Sequence, residues 1–344
     1  MSRGSERVLS ARIVRTSSSC VAFGLIFAIT NVASSHHSIF PFDMNTFVEL
    51  EGVVSEKIWR NPHVRLTMLI ENGSGETEEW LLEADSANAA ARRGVTRDTI
   101  RIGDRVRIAG NPSNRGRREL FLTNILLPNG EERLLHDRPR PLLWTEESTN
   151  SVVASDTSLG RSIFRVWSFG SRHRPRQPYV FTPAARAARA GWNPQTDMLA
   201  IRCIAPGMPN AMLNPYPIEF VDEGDQIRLR VEQWDATRLI DMVSGEIPEG
   251  ATPSLLGYSV GRWEEETLVV ETALVDFPYL DDAGTPMSGD VQMVERFTVS
   301  EDGSRLDYEV SATDSAYLVG PAIEDSSWNW IPGMEIQPYE CQPE

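Results

Sequence analysis

The sequence contains little cysteine and little histidine, and these shortages exclude several kinds of site. Its 344 residues include three cysteines and five histidines. No Cys-x-x-Cys pair occurs, which excludes a thioredoxin-like redox site and a thiolate-rich metal site. No histidine follows His173, so residues 174–344 have no imidazole for acid–base chemistry.

Long hydrophobic runs are also absent. The apolar run at residues 20–29 is shorter than the roughly 20 residues that a membrane-spanning helix needs. It follows an arginine-bearing lead and precedes a small-residue stretch made of Ala33, Ser34 and Ser35. This order is typical of a signal peptide, which we place at residues 1–35. The sequence therefore predicts a periplasmic or secreted protein with no integral membrane segment after processing.

Positive charge is scarce as well. The formal net charge is −16, and removal of residues 1–35, which carry four Arg and one Glu, changes it to −19. Such acidity disfavours nucleic acids and anionic membrane surfaces as general partners, because both attract basic proteins. We therefore expect no nucleic-acid partner.

The cysteines suggest a single disulfide. Cys20 lies in the predicted signal peptide, which leaves Cys203 and Cys341 in the exported chain. Two cysteines in an oxidising compartment most simply form one bond. We therefore interpret this pair as structural.

The first half of the mature chain has the pattern of an OB-like domain, which we place at residues 36–128. Strands are predicted at 46–59, 64–70, 79–83, 105–109 and 120–126, with a helix at 87–93. Ser86 is a suitable N-cap for that helix, and Gly94 ends it. Five strands with a helix between the third and the fourth indicate an OB-like five-stranded barrel.

Residues 129–200 are rich in Pro, Arg and Ser and predict a linker with one short helix at 183–190.

Residues 201–344 form the second predicted domain. Its strands are predicted at 218–221, 226–233, 237–242, 256–263, 267–274, 292–299, 305–312 and 330–339. Eight strands joined by short turns indicate an antiparallel up-and-down, calycin-like barrel. The predicted fold class is therefore mainly β, with two barrels.

Several motifs resemble exported bacterial proteins of unknown function. In the first half they are His36-His37-Ser38, Trp59-Arg60-Asn61-Pro62-His63 and Gly103-Asp104. In the second half they are Arg202-Cys203, Ser259-Val260-Gly261-Arg262-Trp263 and Tyr339-Glu340-Cys341. Tyr258 departs from the resemblance, since a histidine often stands at that position. The resemblance covers most of the mature chain but implies no chemistry.

The predicted mature N-terminus carries the best metal-ligand cluster. Cleavage after Ser35 gives His36 a free amine, and cleavage after Ser34 leaves Ser35 ahead of His36 and His37. Amine and imidazole nitrogens suit Cu(II) or Ni(II), and His63 is a candidate third ligand. The alternatives are that the histidine pair binds nothing and that His63 only shapes a turn. No other cofactor is expected.

A ligand site is predicted in the second barrel. Its candidate ligand-binding residues are Glu232, Trp234, Tyr258, Arg262 and Glu295. A buried Arg–Glu pair among such residues would orient a ligand or hold the barrel together. The expected function is binding of a small or apolar ligand, or of a protein partner. The alternative is an isomerase or cyclase that uses Glu, Arg and Tyr groups, so enzyme activity stays undecided.

Residues 257–261 also form a Gly-x-Ser-x-Gly pattern around Ser259. In hydrolases that serine lies on a strand-to-helix turn and is followed along the chain by a histidine. Here the following residues are strand-like and no later histidine exists. A serine hydrolase is therefore disfavoured.

Overall fold

The computed structural model describes residues 42–136, 141–146, 162–193 and 196–341. The chain is mainly β, as the sequence predicts, and its strands close into two barrels. None of the helices in these ranges is both long and apolar enough to span a bilayer.

The first barrel has the connectivity of an OB-like fold, which confirms the prediction. Its strands are β1 (Val48–Ile58), β2 (Arg65–Glu71), β3 (Thr77–Glu83), β4 (Arg105–Pro112) and β5 (Glu119–Leu126). β1 pairs with both β2 and β4, and a parallel pairing of β3 with β5 closes the ring. A short strand, β6 (Glu132–Leu134), extends the sheet beside β5. Closure removes the exposed edges that five short strands would otherwise present.

The helix between β3 and β4 is α1 (Ala87–Arg92). The Ser86 hydroxyl accepts a hydrogen bond from the Ala89 amide at 3.1 Å, which is the predicted cap. Gly94 has φ +71°, a left-handed conformation that glycine adopts without strain. α1 therefore starts and stops where its sequence directs.

The second barrel contains nine strands. They are β7 (Val166–Pro175), β8 (Ile218–Asp222), β9 (Gln226–Val231), β10 (Ala236–Asp241), β11 (Tyr258–Glu264), β12 (Thr267–Ala273), β13 (Gln292–Val299), β14 (Arg305–Thr313) and β15 (Ala322–Asn329). Each strand pairs with the next along the chain, and β15 returns to β7. A ring with an odd number of strands cannot be antiparallel throughout, and its parallel pair is β10 with β11.

Two strand predictions for this barrel need correction. The strand predicted at 330–339 is wrong, because the last strand is β15, whose sequence Ala-Ile-Glu-Asp-Ser-Ser-Trp-Asn alternates poorly. β7 was missed because its Arg- and Ser-rich sequence lies among residues predicted as a linker. The helix predicted at 183–190 is present as α2 (Pro183–Gly191), capped by Thr182.

The centre of the second barrel is filled by side chains. Trp167, Phe220, Phe297 and Trp328 are each at most 2% exposed. Inward residues alternate along the strands, as Met293, Glu295 and Phe297 do along β13. Aromatic packing therefore occupies the space in which a calycin-like barrel would hold a ligand.

The chain after β15 crosses from the second barrel to the first. Cys203 and Cys341 form a disulfide, as predicted, with Cα atoms 5.9 Å apart. Cys341 also forms an isolated β-bridge with Asn61 of the first barrel. Tyr339 packs edge-on against Tyr216, with ring centroids 5.4 Å apart. The disulfide thus anchors this segment between the barrels.

Candidate functional site

The parallel pair of strands leaves an opening in the wall of the second barrel. β10 and β11 pair only at Ile240 with Ser259 and at Asp241 with Val260. The chain ahead of β11 turns away, because the Ser254 amide donates to the Leu274 carbonyl at 3.1 Å. Residues 236–239 pair with β9 and with no other strand in the described part of the chain. We call this opening the seam.

A cleft with a volume of about 900 Å³ occupies the seam. Trp234 and Tyr258 supply aromatic walls. Three aliphatic residues of its lining are well exposed: Leu239 at 51%, Val243 at 68% and Leu255 at 44%. Large apolar side chains grouped around one concavity are typical of a binding site rather than of ordinary surface.

A buried polar network lies beneath the cleft. Arg238 and Ser259 belong to the cleft lining, and Arg238 Nε donates to Ser259 Oγ at 2.8 Å. The Arg238 guanidinium also donates to both carboxylate oxygens of Glu295, with Nη1 2.9 Å from Oε1. Thr272 and Tyr308 complete the network through hydrogen bonds to the same pair. All five side chains are at most 3% exposed.

This network makes the cleft floor polar but electrically balanced. The bidentate contact with Glu295 offsets the Arg238 charge, so the arginine is not available to hold an anionic ligand. Ser259 lies within β11 and accepts from Arg238, whereas a hydrolase serine stands on a sharp turn beside a base. Ser259 therefore lacks the setting of a hydrolase nucleophile.

The mouth of the cleft carries a fixed negative charge. Tyr258 Oη donates to Asp241 Oδ2 at 3.0 Å, and the amides of Val243 and Ser244 donate to Oδ1 at 2.8 and 2.9 Å. The Ser244 hydroxyl and these amides hold the pKa of Asp241 well below its usual range. The hydrogen bond to Asp241 in turn raises the pKa of Tyr258. The mouth of the cleft is therefore electronegative.

The five predicted ligand-binding residues do not all meet at this cleft. Trp234 and Tyr258 line it, and Glu295 lies in the network below. Arg262 points outward, where its guanidinium contacts Glu271 at 2.5 Å. Arg262 is three positions from Ser259 on β11, so its side chain leaves the strand on the face opposite the buried network.

Glu232 joins the two barrels instead. Its carboxylate is fully buried and accepts from Asn88 of α1 at 3.2 Å and from the Gln337 amide at 3.0 Å. Arg92 of α1 forms an ion pair with the same carboxylate. Asn88 also bonds Asn61, so the predicted Asn-Pro-His turn supports the same junction.

The predicted metal ligands are only partly described. His36 and His37 lie outside the described residues. His63 Nδ1 lies 3.1 Å from Glu83 Oε1 on β3. Within the described ranges, no group of three or more His, Cys, Asp or Glu side chains is arranged to hold a metal ion. Copper binding at the N-terminus stays a prediction.

Comparison with known proteins identifies one similarity. Residues 25–121 match a family of unknown function, DUF6152. The described part of the match covers β1–β4 and the start of β5 in the first barrel, and the match leaves the cleft outside. No curated protein matches the chain. The DUF6152 match agrees with the resemblance to a family of unknown function, while the individual motifs stay predictions.

Sequence reasoning missed Arg238, Asp241 and Thr272, none of which lies in the DUF6152 match. Arg238 had a detectable signal, because it falls between Ala236 and Ile240 at an inward position of β10. A charged residue on the core-facing side of a strand is buried, and a buried charge needs a partner of opposite charge. Asp241 carried no such signal, since its role depends on the turn that follows it.

A second titratable group lies at another part of the barrel. Burial is the largest cause that raises the pKa of Glu324, to about 7, and repulsion from Asp281, Asp282 and Asp325 adds to it. Tyr179 donates a hydrogen bond to Glu324 and acts in the opposite direction. The folded protein therefore favours the protonated form of this carboxyl.

Replacing Glu324 by glutamine is expected to stabilise the fold at pH 8 by about 3 kcal/mol, because a shift of one pKa unit corresponds to about 1.4 kcal/mol. The pKa of Glu324 in the folded protein, about 7, lies above the usual 4.5. The protonated carboxyl therefore makes its full contribution to the free energy of unfolding below pH 4.5. That contribution is lost as the pH rises through 7. Urea denaturation at pH 4 and pH 8 measures the difference. The exposed Glu301→Gln variant is the control and should show no such pH dependence. Equal effects of the Glu324 substitution at both pH values would contradict the prediction.

Proposed function

We propose that the protein is an exported binding protein that holds a small apolar or amphipathic ligand in the seam cleft. The observation that carries the proposal is the cleft itself, with its exposed Leu239, Val243 and Leu255. Its volume of about 900 Å³ falls in the range of small-molecule sites, roughly 300–1,000 Å³. Export is supported by the predicted signal peptide and by a disulfide that suits an oxidising compartment.

The shape and charge of the cleft define the ligand class. Aliphatic and aromatic walls favour an apolar body, because burying such surface contributes about 25 cal/mol per Å². The ionised Asp241 at the mouth disfavours an anionic end. We therefore infer a neutral or cationic head on an apolar body.

A protein-interaction role is the second candidate, and the filled barrel interior favours it. The isomerase or cyclase alternative has less support, because Glu232, Arg262 and Glu295 do not converge on the cleft. Mass spectrometry of small molecules that co-purify with the exported protein separates the two roles. A stoichiometric small molecule supports ligand binding, whereas a stoichiometric polypeptide supports interaction.

Titration with N-phenyl-1-naphthylamine, a neutral apolar fluorophore, tests the cleft directly. Leu239→Ser is expected to weaken binding about tenfold, since it removes an aliphatic contact worth about 1.4 kcal/mol. Val319→Ser is the matched control, because Val319 is 67% exposed and is not part of the cleft lining. Equal affinities of the two variants would refute the assignment of this cleft as the binding site.

A further inference from the structure

One edge of β10 faces the seam. The Met242 amide donates to the Asp225 carbonyl at 2.9 Å, which continues the pairing of β10 with β9. Backbone groups point alternately to the two sides of a strand. The amides and carbonyls of Thr237 and Leu239 therefore point away from β9 and toward the seam.

β11 does not cover all of these groups. Its parallel pairing with β10, at Ile240 and Asp241, reaches back only as far as the Leu239 carbonyl. In the described part of the chain, no hydrogen bond is formed by the Leu239 amide or by the amide and carbonyl of Thr237. We call these groups the open edge of β10.

The seam is held open by hydrogen bonds that draw the chain ahead of β11 away from β10. The Ser254 amide donates to the Leu274 carbonyl at 3.1 Å, and the Asp276 amide donates to the Ser254 carbonyl at 2.7 Å. Gly257 makes the turn with φ +70°, where a Cβ would lie 2.6 Å from the Ala273 carbonyl oxygen. β11 cannot slide over the open edge without breaking these bonds, so the opening is built into the fold.

The open edge also lacks the usual protection against strand pairing. Natural edge strands often carry an outward lysine, a proline or a bulge. The outward side chains here are Thr237 and the 51% exposed Leu239, while Arg238 faces inward and pairs with Glu295. Leu255 adds exposed apolar surface to the same cleft. Backbone groups beside exposed apolar side chains form the arrangement by which proteins bind an added strand.

The hydrogen-bonding groups of the cleft call for a ligand with carbonyl oxygens. The amides of the open edge are donors, and the Trp234 indole N–H is a buried donor without a hydrogen-bond partner among the described residues. A peptide backbone supplies carbonyls for such donors and amides for the Thr237 carbonyl. Apart from Arg238, the charged side chains of the lining are the carboxylates of Asp225 and Asp241. Charge complementarity therefore favours a peptide that carries basic side chains.

We propose that the seam binds an extended peptide segment of basic and alternating apolar residues, which pairs with the open edge of β10 as an added strand. The inference rests on the proposed function, since it names the class of ligand for the same cleft. Carbonyls of the peptide accept from the amides of Thr237 and Leu239, and one of its amides donates to the Thr237 carbonyl. Its apolar side chains lie against Leu239 and Leu255.

Isothermal titration calorimetry with the blocked peptide acetyl-Lys-Val-Thr-Val-Thr-Val-Lys-amide tests the proposal on the wild-type protein. One version of the peptide is N-methylated on its valines and another on its threonines. Only one of these sets of amides faces β10 in an added strand. We therefore expect one version to bind about tenfold weaker, or worse, and the other to bind within about twofold of the parent peptide. Glutamate in place of both lysines should weaken binding severalfold.

Variants of the protein test the same contact from the other side. Thr237→Pro removes one amide of the open edge, and proline is tolerated where a strand amide bonds no neighbour. This variant should bind the parent peptide about tenfold more weakly, whereas Thr237→Val keeps the amide and should cost less than about threefold. Circular dichroism checks that both variants fold. Similar losses in the two variants would overturn the proposal.

The remaining outcomes separate this inference from the proposed function and from other occupants. Binding of N-phenyl-1-naphthylamine without binding of the peptide overturns the inference and leaves the proposed small-ligand cleft standing. Failure of both probes to bind overturns both. Equal losses in the two N-methylated peptides would show contact through side chains alone and overturn strand addition. A dimer in analytical ultracentrifugation that Thr237→Pro dissociates would assign the open edge to a second copy of the chain instead.

Discussion

Replacing Glu295 by glutamine is expected to lower the free energy of unfolding by about 3–5 kcal/mol. The substitution keeps the shape of the side chain but leaves the buried Arg238 guanidinium without its counter-ion. Arg238 is 3% exposed and cannot turn to solvent, so its charge would stay uncompensated in the barrel interior. Urea denaturation measured with circular dichroism gives the change.

Two further variants decide whether charge is the cause. Arg238→Met combined with Glu295→Gln removes both charges, and we expect it to recover part of the loss seen in the single variant. Arg296→Gln is the matched control on the next position of β13, where the arginine is 41% exposed and pairs with Glu264. That control should change stability by less than about 1 kcal/mol. A similar loss in the single and double variants would show that packing, and not the unpaired charge, sets the effect.

Removing the disulfide is expected to cost about 4–5 kcal/mol. Cys203 and Cys341 are 138 residues apart, so the bond restrains a long loop in the unfolded chain. The double variant Cys203→Ser, Cys341→Ser should therefore unfold at a clearly lower urea concentration. It should also loosen the segment that carries Tyr339 between the barrels.

Reductant provides the control for this prediction. It should bring the wild-type protein down to the stability of the double serine variant and leave that variant unchanged. A loss below about 1 kcal/mol would contradict the prediction and would mean that the packing of Tyr339 against Tyr216 holds the segment without the bond.

Local patterns predicted the first barrel well. Its strands alternate, its turns are marked by Asn and Gly, and α1 carries its own cap in Ser86. β7 and β15 were not predictable in the same way, because they owe their conformation to pairing with each other across the closed ring. Strands of low apolar content form when neighbours supply the hydrogen bonds.

The candidate site shows the same division. Trp234 and Tyr258 were predicted as ligand-binding residues from their aromatic character, and both line the cleft, where they are half-buried. The partner of Glu295 was not predictable, because Arg238 is 57 residues away along the chain. Arg262 and Arg238 are chemically alike. Arg238 is buried because its side chain faces the barrel interior, and Arg262 is exposed because its side chain faces outward.

The sequence by itself determined the two-barrel β class, the α1 cap and the pairing of Cys203 with Cys341. These follow from short-range periodicity and from the prediction that Cys20 leaves with the signal peptide, which leaves one cysteine pair. Tertiary structure alone decided where Glu232 and Glu295 point, and it decided that nine strands leave a seam between β10 and β11. An odd number of strands requires one parallel pair, and that requirement belongs to the closed ring and not to any segment of the chain.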